Sequence, residues 1–290
     1  MSAPLLEVSG LTVEYPLRGA LGFAARGRVR ALEDVAFTLA HGETLALVGR
    51  SGSGKSSVAR ALLGLVRPSA GKVLYRRESW AAAVDLLALA GRARRVVQRE
   101  LGIVFQDPVA SLNPRLPVGV AVAEPLRVHE RMGATEARAR AARLFERVGL
   151  EAGALARFPH EFSGGQRQRI AIARALALTP RFVVLDEAVS ALDAAIRVQI
   201  LALLAELQRE LGLAYLFITH DLALARALAE RVLVLAEGRA VECGPVEAVL
   251  SCPQHAATRE LVNAILSGEP RARRSDVRRA DGRDDGGRGG

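Results

Sequence analysis

Cysteine is nearly missing from this chain: Cys243 and Cys252 are the only two in 290 residues. They form no C-x-x-C pattern, and the expectation is reduced, partly buried thiols in a cytosolic protein. Aromatic residues are also scarce, at 4%, so the stacking platforms of single-strand nucleic-acid binders are missing. No run of about 18 uncharged apolar residues occurs, which excludes an evident membrane-crossing helix. Residues 1–7 lack a basic segment leading into an apolar core, so no signal peptide is expected. Lysine is confined to Lys55 and Lys72, so nearly all the positive charge behind the formal net charge of +9 is arginine. Those arginines are scattered among acids along the chain, and no nucleic-acid partner is expected. A basic face toward a membrane-embedded partner or anionic headgroups is compatible with them. What is plentiful is apolar residue, 50% of the chain, enough at this length for one large core or two modest ones.

The most informative segment is Gly49 to Ser56, which reads G-R-S-G-S-G-K-S. It matches the phosphate-cradling pattern G-x-x-x-x-G-K-[ST] in full. An apolar strand, Thr44 to Val48, precedes it. A helical pattern from Ser57 follows, ending at Gly64 with Pro68 beyond. Strand, glycine-rich turn and helix N-terminus aim backbone N–H groups at one point, which favours an anion. Lys55 is then placed for the β- and γ-phosphates and Ser56 for a Mg²⁺ ion. The pattern predicts a nucleoside triphosphate site.

Residues 5–40 alternate like a small antiparallel sheet around a Gly/Arg-rich interruption at 18–28. Strand signals recur at 72–75, 101–105, 182–185, 215–218 and 232–235. Between about 107 and 178 the pattern turns helical, most clearly from Thr135 to Val148. An amphipathic helix carrying Ile196, Ile200, Leu203, Leu204, Leu207 and Leu211 closes at Gly212. Strands alternating with helices predict an α/β fold with a mainly parallel sheet covered on both faces. Residues 269–290 are Arg, Asp and Gly almost throughout and are expected to be disordered.

Asp186 and Glu187 end the apolar strand at 182–185, at the strand end where open α/β sheets bind ligands. Asp186 is a candidate for Mg²⁺, and Glu187 for orienting or deprotonating an attacking water. Ser163-Gly164-Gly165-Gln166 reads as a helix start, with Ser163 as N-cap and Gln166 three residues on. Its two glycines leave backbone N–H groups open to a close-approaching anion.

The run from Ser163 to Arg169 resembles the signature of ATP-binding cassette ATPases. Gln106 resembles their Q-loop glutamine, Ser190-Ala191-Leu192-Asp193 their D-loop, and His220 their switch histidine. All elements stand in the family's order, across residues 5–268. The resemblance implies a P-loop NTPase (RecA-like) core with an N-terminal antiparallel β subdomain and an inserted α-helical subdomain at about 107–178. It implies ATP held by Tyr15, Gly49, Arg50, Ser51, Gly52, Ser53, Gly54, Lys55, Ser56 and Ser57, with Tyr15 stacking on adenine. Ser163, Gly164, Gly165 and Gln166 contact the nucleotide of a second chain. Mg²⁺ is implied at Ser56, Gln106 and Asp186, and hydrolysis by Glu187, His220 and Gln106. Each closed site needs two cassettes head to tail, driving separate transmembrane permease subunits from the cytoplasmic face of the inner membrane. An extracytoplasmic solute-binding protein is implied indirectly.

Finer features, Gln106-Asp107-Pro108, Ser111 to Arg115 and Glu124-Pro125-Leu126, resemble the ATPase subunits of dipeptide, oligopeptide and nickel importers. So does a C-terminal extension at about 240–268 containing Gly244-Pro245 and Pro253-Gln254-His255. Ala256-Ala257 stand where that subfamily has Pro-Tyr, and Ala188 follows Glu187 where many cassettes have proline. Uptake of di- or oligopeptides is the expected task, with nickel import as the alternative. An exporter ATPase and a soluble cassette acting on DNA or ribosomes are the more distant readings.

Overall fold

The structure is a computed structural model, and it describes residues 3–17, 27–77, 80, 82–107 and 112–266. Residues 18–26 of the interruption, Pro108, Ser111 and the tail at 269–290 lie outside the described residues, whereas Arg28 already belongs to a strand.

Strands β1 (Leu6–Pro16), β2 (Arg28–Leu39), β4 (Ala70–Tyr75) and β5 (Val84–Asp85) form an antiparallel sheet in the order β2-β1-β4-β5. A second, six-stranded sheet holds β3 (Thr44–Val48), β6 (Leu101–Val104), β7 (Phe182–Asp186), β8 (Ala214–Thr219), β9 (Arg231–Ala236) and β10 (Arg239–Pro245). Its order is β10-β9-β3-β8-β7-β6, parallel throughout except for β10 at the edge.

Alternation along these strands explains the layers, because successive side chains point to opposite faces. Leu45 and Leu47 of β3, Phe182 and Val184 of β7, and Leu216 and Ile218 of β8 join one core. Helix α1 (Lys55–Leu62) and the antiparallel sheet pack against them there. Val183 and Leu185 of β7, with Tyr215 and Phe217 of β8, point the other way into a helical core. That core is built by α3 (Val118–His129), α4 (Ala134–Arg147), α5 (Gly164–Ala175) and α6 (Ala194–Leu211). Phe145 is fully buried at its centre, which stabilises the fold by about 1.5–3 kcal/mol. A third core sets Ala46 and Val48 of β3 and Val232 and Val234 of β9 against α7 (Leu222–Leu228), α8 (Val246–Ser251) and α9 (Ala256–Leu266). Strands buried on both faces read as continuous apolar runs, which is why their positions were legible.

Several expectations change. Helix α1 begins at Lys55, two residues before the apolar periodicity does, because Gly54 adopts a left-handed N-cap. Helix α2 (Gly91–Gln98) was not expected, since only Val97 of it is buried and no stripe results. The segment expected to extend the C-terminus includes β10, which pairs with β9 as part of the central sheet. Ala256 and Ala257 form the first turn of α9, and that helix packs against α7 without the Pro-Tyr pair. Both cysteines are exposed rather than partly buried, because β10 and the end of α8 lie at the surface. Among the described residues no helix is long and apolar enough to cross a membrane.

Candidate nucleotide site

Strand order brings the motifs together. In the sheet β3, β8, β7 and β6 are adjacent and parallel, so the residues that follow them share one edge. The phosphate loop follows β3, His220 follows β8, Asp186 and Glu187 end β7, and Gln106 follows β6. Segments separated by more than a hundred residues in sequence meet because parallel strands all finish on the same side.

The loop itself is tightly set. Lys55 is buried, and its Nζ donates to the carbonyls of Gly49 at 2.8 Å and Arg50 at 3.0 Å. The Arg50 carbonyl also accepts from the N–H of Ser53, and the Ser53 carbonyl from that of Gly238. Ser51 and Gly52 form the exposed tip of the turn, with Ser56 half-buried behind it. A Cβ on Gly54 would stand 2.6 Å from the Ala31 carbonyl oxygen, at a φ of +106°, so only glycine fits there. The Ser53 Oγ is buried without a partner, a polar atom that an oxyanion would satisfy. Tyr15 stands beside the first turn of α1, its hydroxyl donating to Ser57 Oγ at 3.3 Å.

Glu187 occupies the centre of the edge. Its φ is +47°, an uncommon conformation for a side chain of this size. The turn is fixed from both sides. The Glu187 N–H donates to the Ile218 carbonyl at 3.0 Å, and its own carbonyl accepts from the N–H and, at 2.7 Å, the hydroxyl of Ser190. The carboxylate then bridges two of the predicted residues. Gln106 Nε2 donates to Oε2 at 2.9 Å, while His220 Nδ1 lies 3.2 Å from Oε1. Beside it, burial pushes the Asp186 carboxyl above the ordinary carboxylate range, and the charge of Glu187 adds to that; Arg60 and Lys55 pull the other way. Arg60 was not anticipated, although its place one helical turn after Ser56 was the available signal.

The remaining predicted residues stand apart. Ser163 accepts from the N–H of Gln166 at 3.3 Å, and Gln166 Oε1 accepts from the N–H of Ser163 at 2.9 Å, a reciprocal cap. Helix α5 packs on α3, α4, α6 and β6, whereas α1 packs on β2 and β7. The Ser163 helix start is therefore exposed and does not join the phosphate loop within this chain. Its two glycines differ in kind. A Cβ on Gly164 would meet only Leu192 Cδ2 at 3.9 Å, but one on Gly165 would sit 2.5 Å from Ile196 Cγ2. Packing against α6 therefore requires glycine at 165. Asp193 caps α6, accepting from the N–H of Ile196, while Ala191 is exposed and the Leu192 carbonyl accepts from Arg197.

The family model described as ABC transporter matches residues 32–190, more than half of the chain. It belongs to that family. The chain is 48% identical over 267 residues to "Glutathione import ATP-binding protein GsiA" of Salmonella choleraesuis (strain SC-B67), covering 92% of itself and 42% of that protein. The protein of the same name from Escherichia coli (strain K12) is 48% identical over 271 residues, 93% and 42%. The chain thus spans less than half the length of the curated relatives it matches. Among solved structures, the dimeric ATP-binding cassette MJ0796 bound to ADP and Pi aligns with TM-score 0.70 and 30% identity. That alignment covers 83% of this chain and 98% of that one. The structure of cbiO1 from Clostridium perfringens, described as part of the transporter complex cbiONQ, aligns with TM-score 0.71 and 27% identity, over 87% and 92%.

The fold is of the expected class, the one shared by the ATP-binding cassettes among these solved structures. The donor set also suits the expected metal. Ser56, Asp186 and Gln106 offer a hydroxyl, a carboxylate and an amide oxygen. Among the described residues no cluster of three or more His, Cys, Asp or Glu could hold a metal ion alone. Mg²⁺ prefers such sparse oxygen donors, with phosphates and water completing its shell.

Proposed function

We propose that this chain is the ATP-hydrolysing cassette of an importer for short peptides, acting beside a second cassette and beneath separate membrane subunits. The carrying observation is the Glu187 carboxylate, held at once by Gln106 and His220 on the edge where the phosphate loop ends. Glutathione, the solute in the relatives' names, is itself a short peptide, and it is the first cargo to test.

The residues divide the work. Backbone N–H groups of the loop from Gly49 to Ser57 and the Lys55 ammonium bind and orient the triphosphate, with Tyr15 placed to face the base. Glu187 aligns a water and takes its proton, while His220, on the same edge, contacts the γ-phosphate. Ser190 holds the Glu187 backbone in its left-handed turn, and so fixes the direction of that carboxylate. Mg²⁺, held by Ser56, Asp186 and Gln106, would neutralise charge developing on the phosphate oxygens.

The exposed Ser163–Gln166 helix start would complete the site of the second cassette. Two observations support this: it lies away from its own phosphate loop, and the relatives' length leaves room for another unit of this size. Gln106 connects the site to the membrane side. The residue before it, Phe105, lines a cavity of about 240 Å³ together with Leu101, Ile103, Pro125, Ala171 and Arg174. A helix of a permease subunit would find both apolar and basic contacts there, at the cytoplasmic face of the membrane.

The test is uptake by cells lacking this gene, using labelled glutathione, a dipeptide and nickel. Loss of peptide uptake is expected. Unimpaired peptide uptake with lost nickel uptake would overturn the cargo assignment.

A further inference from the structure

One ion pair joins the phosphate loop to the far end of the chain. Arg50, the second residue of the loop, places Nη1 3.1 Å from Glu260 Oε2 on α9. The two residues are 210 positions apart. Neither the loop pattern nor the catalytic geometry requires an acid at this place. The nucleotide chemistry argues against one, because a carboxylate beside a triphosphate cradle repels the ligand and neutralises a cation that would attract it.

The position of Glu260 is built rather than incidental. Helix α9 is tied down at its start by Glu242 of β10, whose two carboxylate oxygens accept from the N–H groups of Gln254 and His255, both at 3.0 Å. One turn later Thr258 is fully buried, and Leu261 lies in the same core as Val48, the residue immediately before the loop. With Leu261 facing inward, Glu260 on the adjacent face is directed at Arg50. Both partners remain mostly exposed, at 74% and 64%. Such a pair contributes little to stability, which leaves the nucleotide as the quantity it can influence.

We infer that Glu260 holds Arg50 away from the triphosphate, so that the C-terminal helix sets ATP affinity. Glu260 is a positioning residue acting through Arg50, and the inference rests on the phosphate loop binding nucleotide. Any partner or movement that lifts α9 would release Arg50 toward the phosphates and tighten binding.

The experiment is an equilibrium titration of the intact protein with a fluorescent ATP analogue, at low and high salt. It compares wild type, Glu260→Gln, Arg50→Ala and the double variant. Glu260→Gln is expected to tighten binding about threefold at low salt, an advantage that fades as salt screens the exposed charges. In the Arg50→Ala background the same substitution should give less than half of that gain, because its main effect runs through Arg50. Steady-state kinetics should place the change in KM and leave kcat unaltered. Unchanged or weaker binding by Glu260→Gln overturns the proposal, as does a gain of the same size without Arg50. Wild type that binds no analogue overturns the nucleotide reading itself, an outcome distinct from both.

Discussion

Replacing Glu187 by glutamine changes one oxygen to an amino group and leaves the volume unchanged. Both carboxylate oxygens have partners, Gln106 at 2.9 Å and His220 at 3.2 Å. The new amide oxygen can still accept from Gln106, while its NH₂ turns to His220, whose ring can offer an unprotonated Nδ1 by changing tautomer. At worst one hydrogen bond is lost, a cost of about 0.5–1.5 kcal/mol, and the Ser190 contacts to the backbone carbonyl are untouched. The fold and the phosphate loop should therefore survive. The chemistry should not, because the amide cannot take a proton from water, and removal of a positioned base lowers the rate by roughly 10²–10⁴-fold. Phosphate release by the purified variant, alongside titration with an ATP analogue, separates the two effects. The expected result is affinity within about twofold of wild type and turnover reduced by at least about a hundredfold. Hydrolysis within about threefold of wild type, in protein free of contaminating ATPase, would refute the assignment of Glu187 as the base.

Asp186→Asn should stabilise the fold at neutral pH while abolishing Mg²⁺-dependent hydrolysis. Burial raises the native Asp186 carboxyl above its unfolded value, so the native charged form is penalised above that raised value. The penalty vanishes below the unfolded one, so the melting advantage of the variant should shrink as pH falls through the carboxylate range. Gly165→Ala should destabilise the cassette by about 1–3 kcal/mol in chemical denaturation, since the new methyl overlaps the stiff, β-branched Ile196.

Much of this was readable in advance, and the reasons are local. Strand β3 falls where its apolar run ends at the first loop glycine. Helix α4 lies within a residue of its periodic pattern, and the Ser163–Gln166 cap follows from spacing alone. Strands β7 and β8 are apolar up to their last residues, Asp186 and Thr219, because both faces are covered. What stayed hidden depends on contacts between distant segments. The packing of Gly165 against Ile196 of α6 leaves no mark in the local pattern. The left-handed turn at Glu187 and its lock by Ser190 leave no periodic trace, nor does the Arg50–Glu260 pair. Helix α2 escaped because a surface helix with one buried residue has no apolar stripe to read.

Gly164→Asp tests most directly whether two cassettes share each nucleotide. The position is exposed, a side chain there meets only Leu192 at van der Waals distance, and an acid in the first helical turn suits the helix dipole. The variant should fold as well as wild type while setting a negative charge where the phosphates of a partner's nucleotide would lie. The account predicts that the isolated chain binds ATP with affinity within about twofold of wild type, while turnover falls by at least about a hundredfold. Affinity lost in step with turnover would place the Ser163 helix at its own chain's nucleotide, and unimpaired turnover would remove it from the reaction; either result contradicts the shared site.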